Sequence, residues 1–535
     1  MVPDVNAKMA RAAHEPDSGP GLSRFGDSAV KTLLPSLLVL LLLRIPAWFE
    51  PYWYTDEAGY LTVGRELLHG KVLYVTAWNN KPPLMLWTMA LDYRIFGASE
   101  AGLHVLTLIS AVCTLLGVWF GAKRLLSSRA TLLILLATAI VLGLPITDAE
   151  LALPESLLIA PCTWAGILVI LACCKRLPAS MPPVLALVLA GLLDAAGLGF
   201  QQTAVADIGA MTLILLASSM RLRYLTAYLS AVVLPTLLWV VLVLGAAGDK
   251  ATEFALFGFY IAYTKSAIPS MRILAELHLV GVGLLALLIV CVCVLYRRRA
   301  ECGWMFMVWT LADLGVVAAA NQPYPHFLTP AVAPGMMAMG SLLPGIRQVL
   351  SEKRGWVMAG AFLLASSMAS VIRFDWMSTR MGTVDGVTHR NLATYYGGFI
   401  ALILGKQSST SWAYSFDARA PAVVAMGAWL HQHNATGETA VVWSADAWPY
   451  LLGDLPVTLP TPPIYNDNVL LGGSRLMSQR VASIAPEVLI VSHGAFMEFK
   501  GIAPLLQLHY TKVFTYGPEA IYLRDGTAAT KRILA

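Results

Sequence analysis

The run Val30–Phe49 (VKTLLPSLLVLLLLRIPAWF), followed by Tyr54-Thr-Asp-Glu-Ala-Gly-Tyr60 and then Asn79-Asn-Lys-Pro-Pro83, decides how this chain folds. The run has the length and apolar content of a membrane-crossing helix. Two adjacent carboxylates, Asp56 and Glu57, and a lysine set before two prolines, Lys81, cannot lie in hydrocarbon without a heavy desolvation cost. They must therefore occupy a water-facing loop close to the lipid surface. A base and a cation held together there suggest chemistry on a lipid-linked anion.

The rest of the chain agrees. Its 535 residues are 57% hydrophobic and 13% charged, with a mean hydropathy of +0.66, which reads as a polytopic helical membrane protein and not a soluble globule. Apolar runs recur at 30–49, 101–121, 130–146, 156–174, 183–200, 204–219, 225–247, 278–296, 303–320, 327–345 and 355–372, about eleven transmembrane helices. Residues 1–28 are polar and read as a disordered cytoplasmic tail. The first run ends without a small-residue cleavage site, so it is read as a retained helix. A net charge of +5 gives no reason to expect nucleic acid. The seven cysteines match no metal-ligand spacing, none falls in the hydrophilic C-terminal part, and packing is the simpler reading of those in apolar runs.

Lysine and arginine set the expected orientation. Lys123-Arg124-Arg129, Lys175-Arg176, Arg221-Arg223, Arg297-Arg298-Arg299 and Arg347-Lys353-Arg354 fall on alternate connections, on the side of the basic N-terminal tail. The expectation is a multi-pass protein of the inner (plasma) membrane with its N-terminus cytoplasmic. The opposite face collects the other polar groups: Asp56, Glu57 and Lys81; Asp148, Glu150 and Glu155; Gln201 and Gln202; Glu253, Lys265, Arg272 and Glu276; and Asn321 to His326. Two stretches, Ala58 to Leu68 in the loop 50–100 and Thr252 to Tyr263 in the loop 248–277, have the spacing of helices lying in the interface.

After Arg373 the character changes. The bundle is expected to span 29–373, a connector 374–414, and an external α/β domain 415–535. Thr439 to Trp443, Val488 to Ser492 and Ala520 to Leu523 read as strands, with a helix around Ala422 to His433.

Three motifs together resemble the C-type glycosyltransferase superfamily, in particular bacterial protein O-mannosyltransferases and lipid A aminoarabinose transferases. They are Asp56-Glu57 after the first helix, Lys81-Pro82-Pro83 ahead of Trp87, and Pro323-Tyr-Pro-His-Phe-Leu-Thr-Pro330 before a late helix. The resemblance implies a membrane bundle with active loops outside and a C-terminal external α/β domain. It also implies a catalytic carboxylate at Asp56, with Glu57 beside it, and a second acid, for which Glu155 in Pro154-Glu155-Ser-Leu-Leu-Ile-Ala-Pro161 fits better than Glu150. The implied partners are a polyprenyl-phosphate-linked sugar donor, a glycan, lipid or protein acceptor, and the bilayer itself.

The residues fit that chemistry on their own terms. A carboxylate must take the proton of an acceptor hydroxyl as its oxygen attacks the anomeric carbon. Cationic or amide donors must steady the departing lipid phosphate. Lys81, Tyr60, Gln201, Lys265, Arg272, Tyr324 and His326 are the candidates for binding phosphate or sugar. Relatives often carry Lys-Gln where this chain has Gln201-Gln202, which leaves Lys81, Lys265 or Arg272 to carry the charge at the phosphate; some carry Glu-Lys-Pro where it has Asn80-Lys81-Pro82, so no divalent metal is indicated. Asp194, Asp207 and Asp313 fall in or near spans, where hydrogen-bonded structural acids are the simpler account than a proton path. The alternative function is a transporter or flippase of a lipid-linked sugar, which should show broken polar helices at the midplane and repeated halves. A third reading, a degenerate scaffold, is opposed by the intact Asp56 and Lys81.

Overall fold

A computed structural model describes residues 22–218, 220–261, 302–320, 324–349, 392–444, 446–459, 474–492 and 502–535. The first helix, α1 (Leu22–Arg44), passes through Pro35 and ends in a 3-10 turn, Ile45–Phe49, started by Pro46. Then follow α2 (Thr55–Leu68), α3 (Pro83–Phe96), α4 (Glu100–Leu125), α5 (Ser128–Gly143), α6 (Pro154–Cys173), α7 (Pro183–Phe200), α8 (Val205–Ala217) and α9 (Leu222–Ala247). Helices α10 (Gly303–Ala320), α11 (Val332–Val349) and α12 (Leu392–Ile403) complete the described apolar helices.

Five segments, Val30–Phe49, α4, α6, α7 and α9, are long and apolar enough to cross a membrane, and the protein is a multi-pass membrane protein. The expected runs at 130–146, 204–219, 303–320 and 327–345 form shorter apolar helices, while 278–296 and 355–372 lie outside the described residues. Burial sorts the long helices. The most apolar window of α6 is 83% buried and that of α9 only 17%, with Leu234 and Val241 more than 60% exposed. A helix apolar on every side with so much of it uncovered is solvated by lipid, and α6 is the axis of the bundle. The Cys174 sulfur, just past α6, is set against that of Cys302.

One expectation changes in kind. The stretch Ala58 to Leu68 reads as a helix lying in the interface, but in α2 every residue from Glu57 to Glu66 is buried. Its charges are covered because they are paired. The Arg65 guanidinium donates to the Tyr450 carbonyl at 2.7 Å, to the Leu455 carbonyl at 2.6 Å and to Glu66 Oε1 at 2.8 Å, and Lys71 Nζ meets Glu66 Oε2 at 2.6 Å.

Those carbonyls belong to a C-terminal α/β unit. Its four strands are β1 (Ala440–Trp443), β2 (Val488–Ser492), β3 (Tyr510–Tyr516) and β4 (Glu519–Arg524), in the order β1-β2-β4-β3. The β1–β2 pair is parallel and the other pairs antiparallel. Helix α13 (Ala420–Gln432) packs beside the sheet. A single apolar core joins Ala58, Leu61, Met85 and Leu86 of the bundle end to Val423, Trp448, Ile490 and Ile521 of this unit. The unit is therefore seated on α2, the helix whose first turn carries Asp56.

Candidate active site

Five segments place side chains at this end of the bundle. Asp56 stands in the first turn of α2, where the free N–H groups of a helix start favour a negative charge. Lys81 precedes the Pro82 cap and the Pro83 start of α3; a residue before proline is held extended. Its backbone is held at both ends, with its N–H donating to Asn79 Oδ1 at 3.1 Å and its carbonyl accepting from Tyr74 Oη at 2.8 Å. Glu155 follows the Pro154 start of α6. Gln201 and Gln202 end α7, and Tyr324 to His326 lead into a short 3-10 turn before α11.

The groups converge. The Tyr60 hydroxyl lies 3.5 Å from Asp56 Oδ2. Lys81 Nζ lies 3.4 Å from the Tyr260 hydroxyl and 5.9 Å from the ring centres of both Tyr60 and Tyr260. Glu155, 2% exposed, accepts from Gln201 Nε2 at 2.9 Å. His326 Nδ1 faces Asp148 Oδ2 at 3.4 Å, and its ring stacks on that of Tyr324 at 5.4 Å. Asp148 turns its loop with φ +50°, a left-handed conformation that aspartate tolerates better than most residues.

Their charges act on one another. Burial pushes the Asp56 carboxyl above its ordinary range, Lys81 and His326 pull it back, and Glu155 adds to the push. Burial works to lower the Lys81 ammonium, but Tyr260, Glu155 and Asp56 outweigh it and raise it, so the lysine stays charged. His326 is likewise lowered by burial and raised, on balance, by Asp148, Glu155 and Asp56. A half-buried carboxylate of raised basicity, facing two cationic groups, is a base beside an anion site.

Other sequence candidates lie elsewhere. Glu57 is fully buried and turned away, accepting from the Ala152 N–H that begins the approach to α6. Glu150 is buried within the field of Arg44 and Glu50, where Arg44 also donates to the Leu142 and Ala149 carbonyls at 2.8 and 2.6 Å. Gln202 donates to the Asn80 and Leu256 carbonyls, both at 3.2 Å, and so ties the Lys81 loop to the turn before Tyr260. Lys265 and Arg272 lie outside the described residues. Sequence reasoning gave no role to Asp148 or Tyr260. The only signals for them were Asp148's place in the Glu155 loop and Tyr260's in an amphipathic stretch.

Glu57 yields a stability prediction. Burial first, with Glu50, Asp56 and Asp92 adding and the Ala152 N–H opposing, pushes it up to about 8 from an ordinary 4.5. Between those values the native chain holds a proton that the unfolded chain releases, so stability falls as pH rises through that window. Glu57→Gln is expected to flatten this decline, as read by thermal unfolding of the purified protein from acid to mildly alkaline pH. An unchanged slope means that Glu57 is ionised in the fold.

Comparison with known proteins gives a consistent outcome. Residues 80–244, less than a third of the chain but including Lys81, Glu155 and Gln201, match the family model described as dolichyl-phosphate-mannose-protein mannosyltransferase. An uncharacterised protein of Aquifex aeolicus (strain VF5) is 28% identical over 130 residues, 23% of this chain and about a quarter (26%) of the relative's length. ArnT from Cupriavidus metallidurans bound to undecaprenyl phosphate has a TM-score of 0.64 at 16% identity, over 92% of this chain and 98% of that one. ArnT of the same organism in the apo state gives 0.61 at 14%, over 92% and 97%. A segment that matches the mannosyltransferase model thus lies inside a fold that this chain shares over nearly its whole length with ArnT.

Proposed function

We propose that the protein is a membrane glycosyltransferase that moves one sugar from a polyprenyl-phosphate donor to a glycan, lipid or protein acceptor at the external membrane face. One observation carries the reading: Asp56, half-buried and of raised basicity, shares an electrostatic neighbourhood with Lys81 and His326 at the end of a membrane bundle. The solved ArnT of the same fold holds undecaprenyl phosphate, which supports a lipid-phosphate donor here.

In this reading Asp56 takes the proton of the acceptor hydroxyl while its oxygen attacks the anomeric carbon from the side opposite the phosphate. The bond to the phosphate oxygen breaks with its electron pair, which inverts the carbon. Lys81, steered by the Tyr60 and Tyr260 rings, meets the charge growing on the departing phosphate. His326, kept cationic by Asp148, adds a second donor, and the exposed Tyr324 offers a face to the sugar. The Glu155–Gln201 pair closes the floor of the site. The apolar faces of the bundle take the lipid tail.

Lys81→Met tests the phosphate role. A hydrogen bond to a charged group contributes about 1.5–3 kcal/mol, so undecaprenyl phosphate should bind about 10- to 100-fold more weakly to the variant. Equal binding would move the phosphate away from Lys81, with Lys265 and Arg272 the next cations to vary. Mass spectrometry of envelope glycolipids and glycans from cells with and without the protein names sugar and acceptor. Export of a lipid-linked sugar with no transfer at all would favour the transporter.

A further inference from the structure

Between α7 and α8 the chain makes one short 3-10 turn, Gln202–Ala204, and the two glutamines at its start reach apart. Gln201 donates to Glu155, while Gln202 Nε2 donates to the Asn80 carbonyl and to the Leu256 carbonyl, both at 3.2 Å. A primary amide nitrogen carries two hydrogens, and two carbonyl acceptors use both. They also fix which end of the amide faces them, because a flipped Gln202 would set oxygen against oxygen. Its Oε1 is buried without a partner among the described residues, a desolvation cost that an apolar side chain here would not carry. What the glutamine supplies is the span between the two carbonyls.

Each carbonyl belongs to a segment that brings one group to the anion site. Asn80 precedes Lys81. Leu256 lies in the π turn Phe254–Gly258, where the Phe259 N–H reaches back to the Phe254 carbonyl, just ahead of Tyr260. A π turn holds an extra residue, so it rotates Tyr260 about the helix axis from where an α turn would put it. Trp78 packs on Phe254 and Phe259, at 6.3 and 5.4 Å between ring centres, but apolar contact is non-directional and does not fix a distance. Gly199 lets the end of α7 close on α3, since a Cβ there would stand 2.9 Å from Leu84 Cβ. That approach brings Gln202 within reach of Asn80.

We propose that Gln202 is a positioning residue of the transferase: by spanning the Asn80 and Leu256 carbonyls it holds Lys81 and Tyr260 as one two-donor clamp for the departing lipid phosphate. This rests on the transferase reading above. The Lys81 ammonium donates to the Tyr260 oxygen at 3.4 Å, which leaves it two hydrogens and puts the phenol hydrogen on the side away from it. A phosphate oxygen beside the pair receives from ammonium and phenol together, and hydrogen bonds to an ionised acceptor are the strong ones. The Lys81 backbone is already held by Asn79 and Tyr74, so what remains to be fixed is its distance from Tyr260. Gln202 sets that distance.

A double-mutant cycle on undecaprenyl phosphate binding, with the full-length protein in lipid nanodiscs, tests the clamp. In the wild-type background Lys81→Met and Tyr260→Phe should be coupled, the double variant binding about 3- to 30-fold more tightly than the product of the single losses requires. Gln202→Met keeps the length of the side chain and removes both donors. In that background the same cycle should come within about twofold of additive. Gln202→Glu serves if the methionine variant fails to fold, because a carboxylate donates to neither carbonyl. A glutamine that only braced the fold would lower the unfolding temperature and leave the coupling as it was. An additive cycle in the wild type, or a coupling that survives the Gln202 substitution, overturns the inference and leaves the transferase reading in place. A wild type that binds no undecaprenyl phosphate sinks that reading and the clamp with it.

Discussion

Asp56→Asn is expected to lower sugar transfer by about 100- to 10,000-fold, the range that a positioned general base contributes, while undecaprenyl phosphate still binds. The expectation follows from where the charge sits. Asp56 shares the field of Lys81 and His326 with Glu155, but Glu155 is 2% exposed and engaged by Gln201, whereas Asp56 is half-buried, and asparagine keeps its size while losing the ability to take a proton. Binding survives because the anion site is built from Lys81 and the Tyr60 and Tyr260 rings, none of which depends on an Asp56 charge for its backbone position. A second signature is the pH profile. Since burial raises the Asp56 carboxyl, the wild-type rate should climb with pH through that raised value, because only the deprotonated form accepts a proton. The assay is label transfer from a native polyprenyl-linked donor pool into envelope material, beside direct binding of undecaprenyl phosphate. Transfer at the wild-type rate would remove Asp56 as the base. Loss of binding along with transfer would make Asp56 part of the anion site. Glu57→Gln is the internal contrast: its carboxyl serves the Ala152 N–H, and transfer should fall far less than in Asp56→Asn.

The membrane class and the crowded loop face were legible because hydropathy and charge are properties of short stretches. Asp56, Lys81 and Glu155 stood out for the same reason: each is a charged group close to an apolar stretch, two of them next to proline. What stayed hidden depends on contacts between distant segments. Glu57 looks like a twin of Asp56 in sequence, but one step along a helix turns a side chain by about 100 degrees, toward Ala152 and away from the site. The proline pattern already favoured Glu155 over Glu150, but the reason Glu150 is buried, its neighbour Arg44 more than a hundred positions earlier, was not visible. Strand β3 went unread since Lys512 and the threonines around it blur the alternation, as suits a strand paired on one side only. The buried path of α2 was hidden too, because an Arg65-Glu66 pair looks like a water-facing one until the Tyr450 and Leu455 carbonyls are seen above it.

That pair carries the second large effect. Arg65→Met is expected to cost about 3–5 kcal/mol, the range for breaking a buried ion pair by removing one partner. Arg65 is 1% exposed and donates to Tyr450, Leu455 and Glu66, so methionine fills its space but takes the Arg65 donor from the Leu455 carbonyl and leaves the Tyr450 carbonyl only the Leu455 N–H. Glu66 is less stranded than it would otherwise be, since Lys71 stays at 2.6 Å. Most of the loss should therefore lie in the seating of the C-terminal unit on α2, and only a part in the carboxylate. Thermal unfolding in nanodiscs should show the lowered stability, and limited proteolysis should cut the C-terminal unit sooner. The double variant Arg65→Met with Glu66→Gln should recover little, because the Arg65 hydrogen bonds to the Leu455 and Tyr450 carbonyls stay lost. Full recovery in the double variant would place the energy in the ion pair instead, and a change within about 1 kcal/mol would class the contact with exposed pairs of small effect. The same substitution has a catalytic readout. Asp56 and Arg65 stand at opposite ends of one helix, so loosening the seat at Arg65 should lower the turnover rate more than it weakens undecaprenyl phosphate binding at Lys81, which belongs to the start of α3.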